Sequence, residues 1–173
     1  VLDPHLRERF DDQTTLLAQF LVKWPGARGD MPLHQDTSLV DEARHTSAEL
    51  WVALEDTTDD NGQLWIVPGS HTWVPTIRGI HCWFESPFAG LEDRIVHRHA
   101  VPVPLRAGEA VVFNHATLHF SLPNVTDRER LVAIVDLVPS EAQQLHYVVN
   151  DDGTVEAHAI DPEFWVELSP SAF

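Results

Sequence analysis

Apolar residues in this chain gather into short runs rich in β-branched and aromatic side chains. The runs are LLAQFLVKW (16–24), LWVALE (50–55), QLWIVP (63–68), AVPVPL (100–105), AVVFNH (110–115) and LVAIVDLV (131–138). Short runs of this composition, bounded by turn-forming residues, predict strands. Between the second and third lies DTTDDNGQ, whose Asn61-Gly62 pair predicts a hairpin turn with positive φ; VVNDDGTVEAHAI repeats the arrangement around Asp152-Gly153. Pro-Gly pairs at 25–26 and 68–69 add further breaks. Helix is expected only near the ends, around residues 3–12 and in EFWVEL, where Asp161 would cap and Pro162 would occupy the first turn. The pattern predicts an all-β core with a few flanking helices, a β-sandwich or jelly-roll barrel.

Composition narrows the class. A chain of 173 residues with 43% apolar and 22% charged residues reads as one soluble globular domain, 1–173, without repeats, low-complexity tracts or linkers. A net charge of −16 argues against nucleic-acid partners, since such a surface repels phosphate backbones. One buried arginine can still act locally on a small anion. No apolar run approaches the length of a membrane span and no signal peptide is evident. The lone Cys82 excludes an internal disulfide framework and fits a reducing compartment, so a cytoplasmic location is expected. The chain opens on Val1 rather than Met, so part of the natural N-terminus is expected to lie outside it.

Three groups of histidines are candidate metal ligands. His34 and Asp36 in MPLHQDTSLVDE stand two apart, a spacing that on a strand puts both on one face. His97 and His99 share that spacing, but Glu92, Arg94 and Arg98 around them predict an exposed loop entering a strand. His115 and His119 have the spacing of a helical zinc pair, yet VVFNHATLHF reads as strand running into loop. His71 in PGSH suits a local turn. A mononuclear ferrous site commonly uses two His and one carboxylate on one face and leaves the opposite positions open. Arg130, heading the strongest apolar run, could grip a carboxylate through two parallel hydrogen bonds. H-x-D, a later His and an Arg make the minimum set for an iron and 2-oxoglutarate oxygenase.

The stretches HQDTSLVDE, LWVALEDTTDDNGQLWIVPGSH and GEAVVFNHATLHFSLPNVTDRER together resemble the phytanoyl-CoA dioxygenase family of Fe(II)/2-oxoglutarate-dependent oxygenases, from about Leu16 to Val138. The resemblance implies a double-stranded β-helix, or jelly roll. It implies His34, Asp36 and His119 as iron ligands, with His119 preferred over His115. It also implies Arg130 as the residue binding the far carboxylate of 2-oxoglutarate, and Gln19 and Trp51 as co-substrate contacts, although a core aromatic equally explains Trp51. The implied reaction uses Fe(II), 2-oxoglutarate and O2 to oxidise an aliphatic C–H of a small molecule, releasing succinate and CO2. Halogenating relatives replace the ligand carboxylate with a small residue, so Asp36 favours hydroxylation.

Two departures stand out. Val132 sits where relatives often carry a hydroxyl residue that helps bind the carboxylate, and relatives are usually longer at the N-terminus. Residues 72–94, with Trp73, Trp83, Phe84 and Phe88, suggest a lid or, equally, a loop pinned on the barrel; Arg78 and Arg94 could meet an acidic substrate. A non-catalytic jelly-roll module binding a metal or ligand is the rival reading.

Overall fold

The computed structural model describes residues 12–26, 29–74, 76–79, 87–150, 152–161 and 164. The strands are β1 (Gln13–Lys23), β2 (Met31–His34), β3 (Ala48–Ala53), β4 (Leu64–Ile66), β5 (Val101–Val103), β6 (Ala110–Asn114), β7 (His119–Ser121), β8 (Arg130–Pro139), β9 (Leu145–Val149) and β10 (Val155–Ala159). They form two four-stranded sheets, in the orders β1-β8-β3-β6 and β2-β7-β4-β5, and a separate β9-β10 hairpin. Every pairing is antiparallel. The fold is a jelly roll, as the strand pattern and the resemblance both led us to expect.

Side-chain alternation defines which residues face inward. Cross-strand registers place Lys23 beside Arg130, Leu21 beside Val132 and Gln19 beside Ile134 between β1 and β8. Between β3 and β8 they place Ala53, Trp51 and Glu49 beside Val132, Ile134 and Asp136. The apolar part of this face forms the main core: Trp51, Ala53, Phe113, Val132 and Ile134 pack with Leu64 from the second sheet. Burial of these side chains, at roughly 1.5–3 kcal/mol for each large one, is what holds the sheets face to face.

The predicted runs all contain strands, with boundaries shifted by a few residues, and the second hairpin forms as expected about Gly153, whose φ is 81°. The first does not. Gly62 has the expected positive φ of 79°, but β3 and β4 belong to different sheets, so the segment is a corner between sheets rather than a hairpin. A 3₁₀ turn over Asp59–Asn61 drives the change of direction. Within it, Asn61 Oδ1 accepts from the Thr58 N–H at 2.8 Å, and Asn61 Nδ2 donates to Asp56 O at 2.8 Å.

The expectation of helix only at the ends also fails, because α1 (Glu92–His99) is internal. It is mostly polar, and one residue, Ile95, is buried, packing with Val67, Phe88 and Leu118. Acidic side chains in its first turn and His97, Arg98 and His99 in its last complement the helix dipole. His97 and His99 therefore sit on an exposed helix end, not on a loop entering a strand. His71 lies in a short 3₁₀ turn (Ser70–Thr72), as a local turn role required.

Residues 3–11, Pro162 and 165–173 lie outside the described residues, and with them most of both expected terminal helices. The Asp161 cap does form, with Oδ1 accepting from the Phe164 N–H at 2.9 Å. Trp83 and Phe84 also lie outside. The described part of the 72–94 connection packs on the barrel, with Phe88 buried and Trp73 edge-on to Phe88 and His99 at 6.1 and 5.3 Å. No described helix is long and apolar enough to cross a membrane.

Gly62 is under a double constraint. A Cβ there would lie 2.5 Å from Lys23 Cδ and 2.6 Å from Leu122 O, whereas Gly108, at φ 87°, faces open space. Gly108→Ala should cost about 1–2 kcal/mol, the left-handed penalty alone. Gly62→Ala should cost clearly more. Comparison of the two melting temperatures, at about 2–4 °C per kcal/mol for a chain of this size, checks the difference.

Candidate metal and anion site

β2 and β7 pair so that His34 and His119 are direct cross-strand partners. That register brings the two imidazoles together, with ring centroids 4.1 Å apart. Each Nδ1 faces the carbonyl of the residue two before it, Pro32 O at 2.7 Å and Thr117 O at 2.9 Å. A carbonyl only accepts, so each Nδ1 carries the proton and each Nε2 presents its lone pair. Both Nε2 atoms point at Asp36 Oδ1, at 3.9 Å from His34 and 3.6 Å from His119. Burial, with the neighbouring imidazole assisting, lowers the His34 pKa to about 4; burial likewise lowers His119 to about 4. Both are therefore neutral near pH 7, the form that binds a metal.

Asp36 reaches the pair by a different route from the one its spacing implied. β2 ends at His34, so strand alternation does not position Asp36. Instead its N–H donates to His115 O at 2.9 Å, and its carbonyl accepts from Arg78 Nε at 2.6 Å. Arg78, a candidate for meeting an acidic substrate, is thus committed elsewhere. It is buried and also gives Nη1 and Nη2 to Glu42 at 3.1 and 2.6 Å. Gln35, between the two candidate ligands, turns away and donates to Ala116 O at 2.5 Å.

His34, Asp36 and His119 offer ligand atoms that all lie within 4.8 Å of one another. Asp36 Oδ2 is buried without a hydrogen-bond partner, and burial raises the Asp36 pKa. A buried carboxylate facing two unprotonated nitrogens suits a divalent ion, which would balance its charge and accept both lone pairs. Two neutral imidazoles and one carboxylate suit a first-row transition metal. The donor set fits iron.

Arg130, at the other end of the inner face, fits an anion. It is 4% exposed, its Nη2 donates to Gly62 O at 2.9 Å, and its Nη1 is buried without a partner. Its guanidinium lies 5.4 Å from the Trp51 ring centroid. Trp51 therefore serves the core and also backs the arginine. Gln19 is on the same inward parity but exposed, beside Ile134.

Three further residues near the site, Lys23, Glu49 and Asp136, carried no role in the sequence reading, and a fourth, His115, entered it only as the alternative to His119. Lys23 is buried beside Arg130. Glu49, His115 and Asp136 form an acid–imidazole wall near Asp36. His115 is fully buried, with Nε2 3.3 Å from Asp136 Oδ1 but neither ring nitrogen in a hydrogen bond. Burial, followed by the charges of Asp36 and Asp136, raises the Glu49 pKa to about 9. The available signal was parity: Glu49 and Asp136 are charged residues at inward positions of apolar strands.

Residues 4–132 match the family model described as phytanoyl-CoA dioxygenase (PhyH). The chain is 33% identical over 131 residues to "Phytanoyl-CoA dioxygenase domain-containing protein 1" of Danio rerio, a match covering 73% of this chain and 45% of that protein. The chain thus spans about half the length of the curated relatives it matches. Among solved structures, the non-heme alpha ketoglutarate dependent carbocyclase SnoK from nogalamycin biosynthesis superposes with a TM-score of 0.63 at 25% identity, covering 76% of this chain and 53% of its own. The epimerase SnoN, solved in complex with Fe3+, alpha ketoglutarate and nogalamycin RO, gives 0.63 at 26% identity, covering 76% and 52%.

Glu49 carries a stability consequence. Its raised pKa means that the folded state binds more protons than the unfolded state between about pH 4.5 and 9, so it destabilises the fold progressively as pH rises through that window. Glu49→Gln should raise the melting temperature of the metal-free protein by several degrees at pH 8, with the gain vanishing toward pH 5. Melting curves of both proteins across that range check it.

Proposed function

The chain belongs to the phytanoyl-CoA dioxygenase family, and from that premise we propose that it is an Fe(II)- and 2-oxoglutarate-dependent dioxygenase that hydroxylates an aliphatic C–H of a small molecule. One observation carries the reading. A buried His-Asp-His group with two Nε2 lone pairs aimed at one carboxylate shares the barrel interior with a buried, half-unsatisfied arginine. In this reading His34, Asp36 and His119 hold the iron and Arg130 binds the far carboxylate of 2-oxoglutarate. When bound, iron with O2 and 2-oxoglutarate supplies C–H oxidation coupled to decarboxylation of the co-substrate to succinate and CO2.

The protein's own part is positional. Pro32 O and Thr117 O keep each ligand imidazole in one tautomer and orientation. Trp51 and the apolar core beside it exclude water from the space next to Arg130, where a low local dielectric strengthens a guanidinium–carboxylate contact. Gln19 remains a co-substrate contact in this reading, reached from the open side of β1. Asp36 leaves no place for a halide among the protein-supplied positions, which favours hydroxylation over halogenation. The SnoK and SnoN names support a small-molecule substrate.

Two measurements test the proposal. Anaerobic addition of Fe(II) and 2-oxoglutarate should give a weak visible charge-transfer band, and His119→Ala should abolish it. Arg130→Met should leave iron binding intact while raising the 2-oxoglutarate requirement by orders of magnitude. Folded, iron-loaded protein with neither that band nor substrate-independent succinate formation would instead be a non-catalytic binding module.

A further inference from the structure

The chain contains a single lysine, Lys23, and the fold buries it. It lies at the inward end of β1, directly across from Arg130 on β8. Its ammonium donates to Ser121 Oγ at 2.7 Å and to Leu122 O, with a longer contact to Ser121 O at 3.3 Å. Arg130 holds Gly62 O through Nη2, and the same glycine lies against the Lys23 side chain, whose Cδ would be 2.5 Å from a Cβ there. The two cations thus close on one glycine from two strands.

Burying a second cation beside a buried arginine is costly unless an anion joins them. Burial and then the charge of Arg130 lower the Lys23 pKa to about 8, with Asp30 acting weakly in the other direction. Burial lowers Arg130 to about 10, opposed by Glu55. Neither cation has a carboxylate in hydrogen-bond contact among the described residues, and Arg130 Nη1 has no partner. A tie between β1 and β7 alone would not require an ammonium, because any long side chain with a donor could bridge to Leu122 O.

We propose that Lys23 is the second cation of the far-carboxylate site, binding the 2-oxoglutarate dianion together with Arg130. This rests on the reading that the chain binds 2-oxoglutarate. The contact to Ser121 O, the longest of the three, is the one given up to the incoming carboxylate.

Because the lysine is unique, selective isotope labelling gives one side-chain signal in the full chain. Adding 2-oxoglutarate to the metal-loaded, anaerobic protein should shift that signal and raise its titration midpoint. The analogue 2-oxovalerate, which lacks the far carboxylate, should do neither. In parallel, Lys23→Met should reduce the preference for 2-oxoglutarate over 2-oxovalerate by roughly ten- to a hundredfold, the worth of one hydrogen bond to a charged group. The affinities come from the charge-transfer titration. A signal unmoved by 2-oxoglutarate overturns the proposal even if Lys23→Met fails to fold. A preference lost in Arg130→Met but kept in Lys23→Met removes Lys23 alone. A preference unchanged in both variants removes the 2-oxoglutarate reading itself.

Discussion

The site depends on the pairing of two very short strands. β2 has four residues and β7 has three, and their register sets His34 opposite His119. A one-residue slip would turn one imidazole to the far side of the sheet. The pairing is held on both flanks. Beyond His119, Phe120 takes the opposite face of the sheet, where it is buried and stacks on Trp65 of β4 with centroids 5.8 Å apart. Just before it, the fully buried Leu118 donates its N–H to Ser70 Oγ at 2.8 Å, and its carbonyl accepts from the Val67 N–H at 2.8 Å. The two imidazoles are therefore fixed by backbone register first and by side-chain contacts second.

The large sheet contributes a gradient of charge along its inner face. β8 presents Arg130, Val132, Ile134 and Asp136 in succession to the interior, so one strand runs from a cationic end to an acidic one. β1 adds Lys23 at the cationic end and β3 adds Glu49 at the acidic end. Between them lies the apolar core, which keeps the two ends apart and dry. Charges buried in this way cost stability rather than supplying it. The raised Glu49 pKa and the lowered Lys23 and Arg130 pKa values all express that cost.

Much of the fold was legible because β-rich runs are a strong local signal, and each predicted run contains a strand. The connections were not. Asn61-Gly62 has the chemistry of a hairpin turn, but whether the chain folds back or crosses to the other sheet depends on which strand pairs with β3, and β8 and β6 already flank it. α1 escaped because the expectation rested on apolar runs, and EDRIVHRH holds only two apolar side chains, of which one is buried. At the site, the His34–Asp36 spacing named two side chains that the structure does bring together, though by a clamp after β2 rather than by strand alternation. The choice of His119 over His115 came from the resemblance alone; the structure separates them by placing His119 on β7 and enclosing His115 against Asp136. Lys23 went unassigned inside an apolar run, although a lone lysine on the same parity as Gln19 and Leu21 was a readable sign of an inward charge.

Asp36 shows why the H-x-D spacing needs more than local geometry. It follows the end of β2 and would be free to swing without the segment after it being clamped. Three separate elements provide the clamp. Arg78 holds the Asp36 carbonyl, pairs with Glu42, and is tied to Ser38, whose N–H donates to Arg78 O at 2.9 Å and whose Oγ accepts from the Arg78 N–H at 3.2 Å. The hairpin closes from the other side, with the Leu145 N–H on Leu39 O at 2.8 Å and Tyr147 Oη on Val40 O at 3.2 Å. His115 O receives the Asp36 N–H from beneath. A carboxylate aimed at two imidazoles across a few ångströms tolerates little displacement, because Coulomb attraction to a shared ion and ligand geometry both fall off within that distance. The arginine that seemed available for substrate is better understood as part of this clamp, and so is the β9-β10 hairpin, which stands outside both main sheets yet bonds to the segment that follows Asp36.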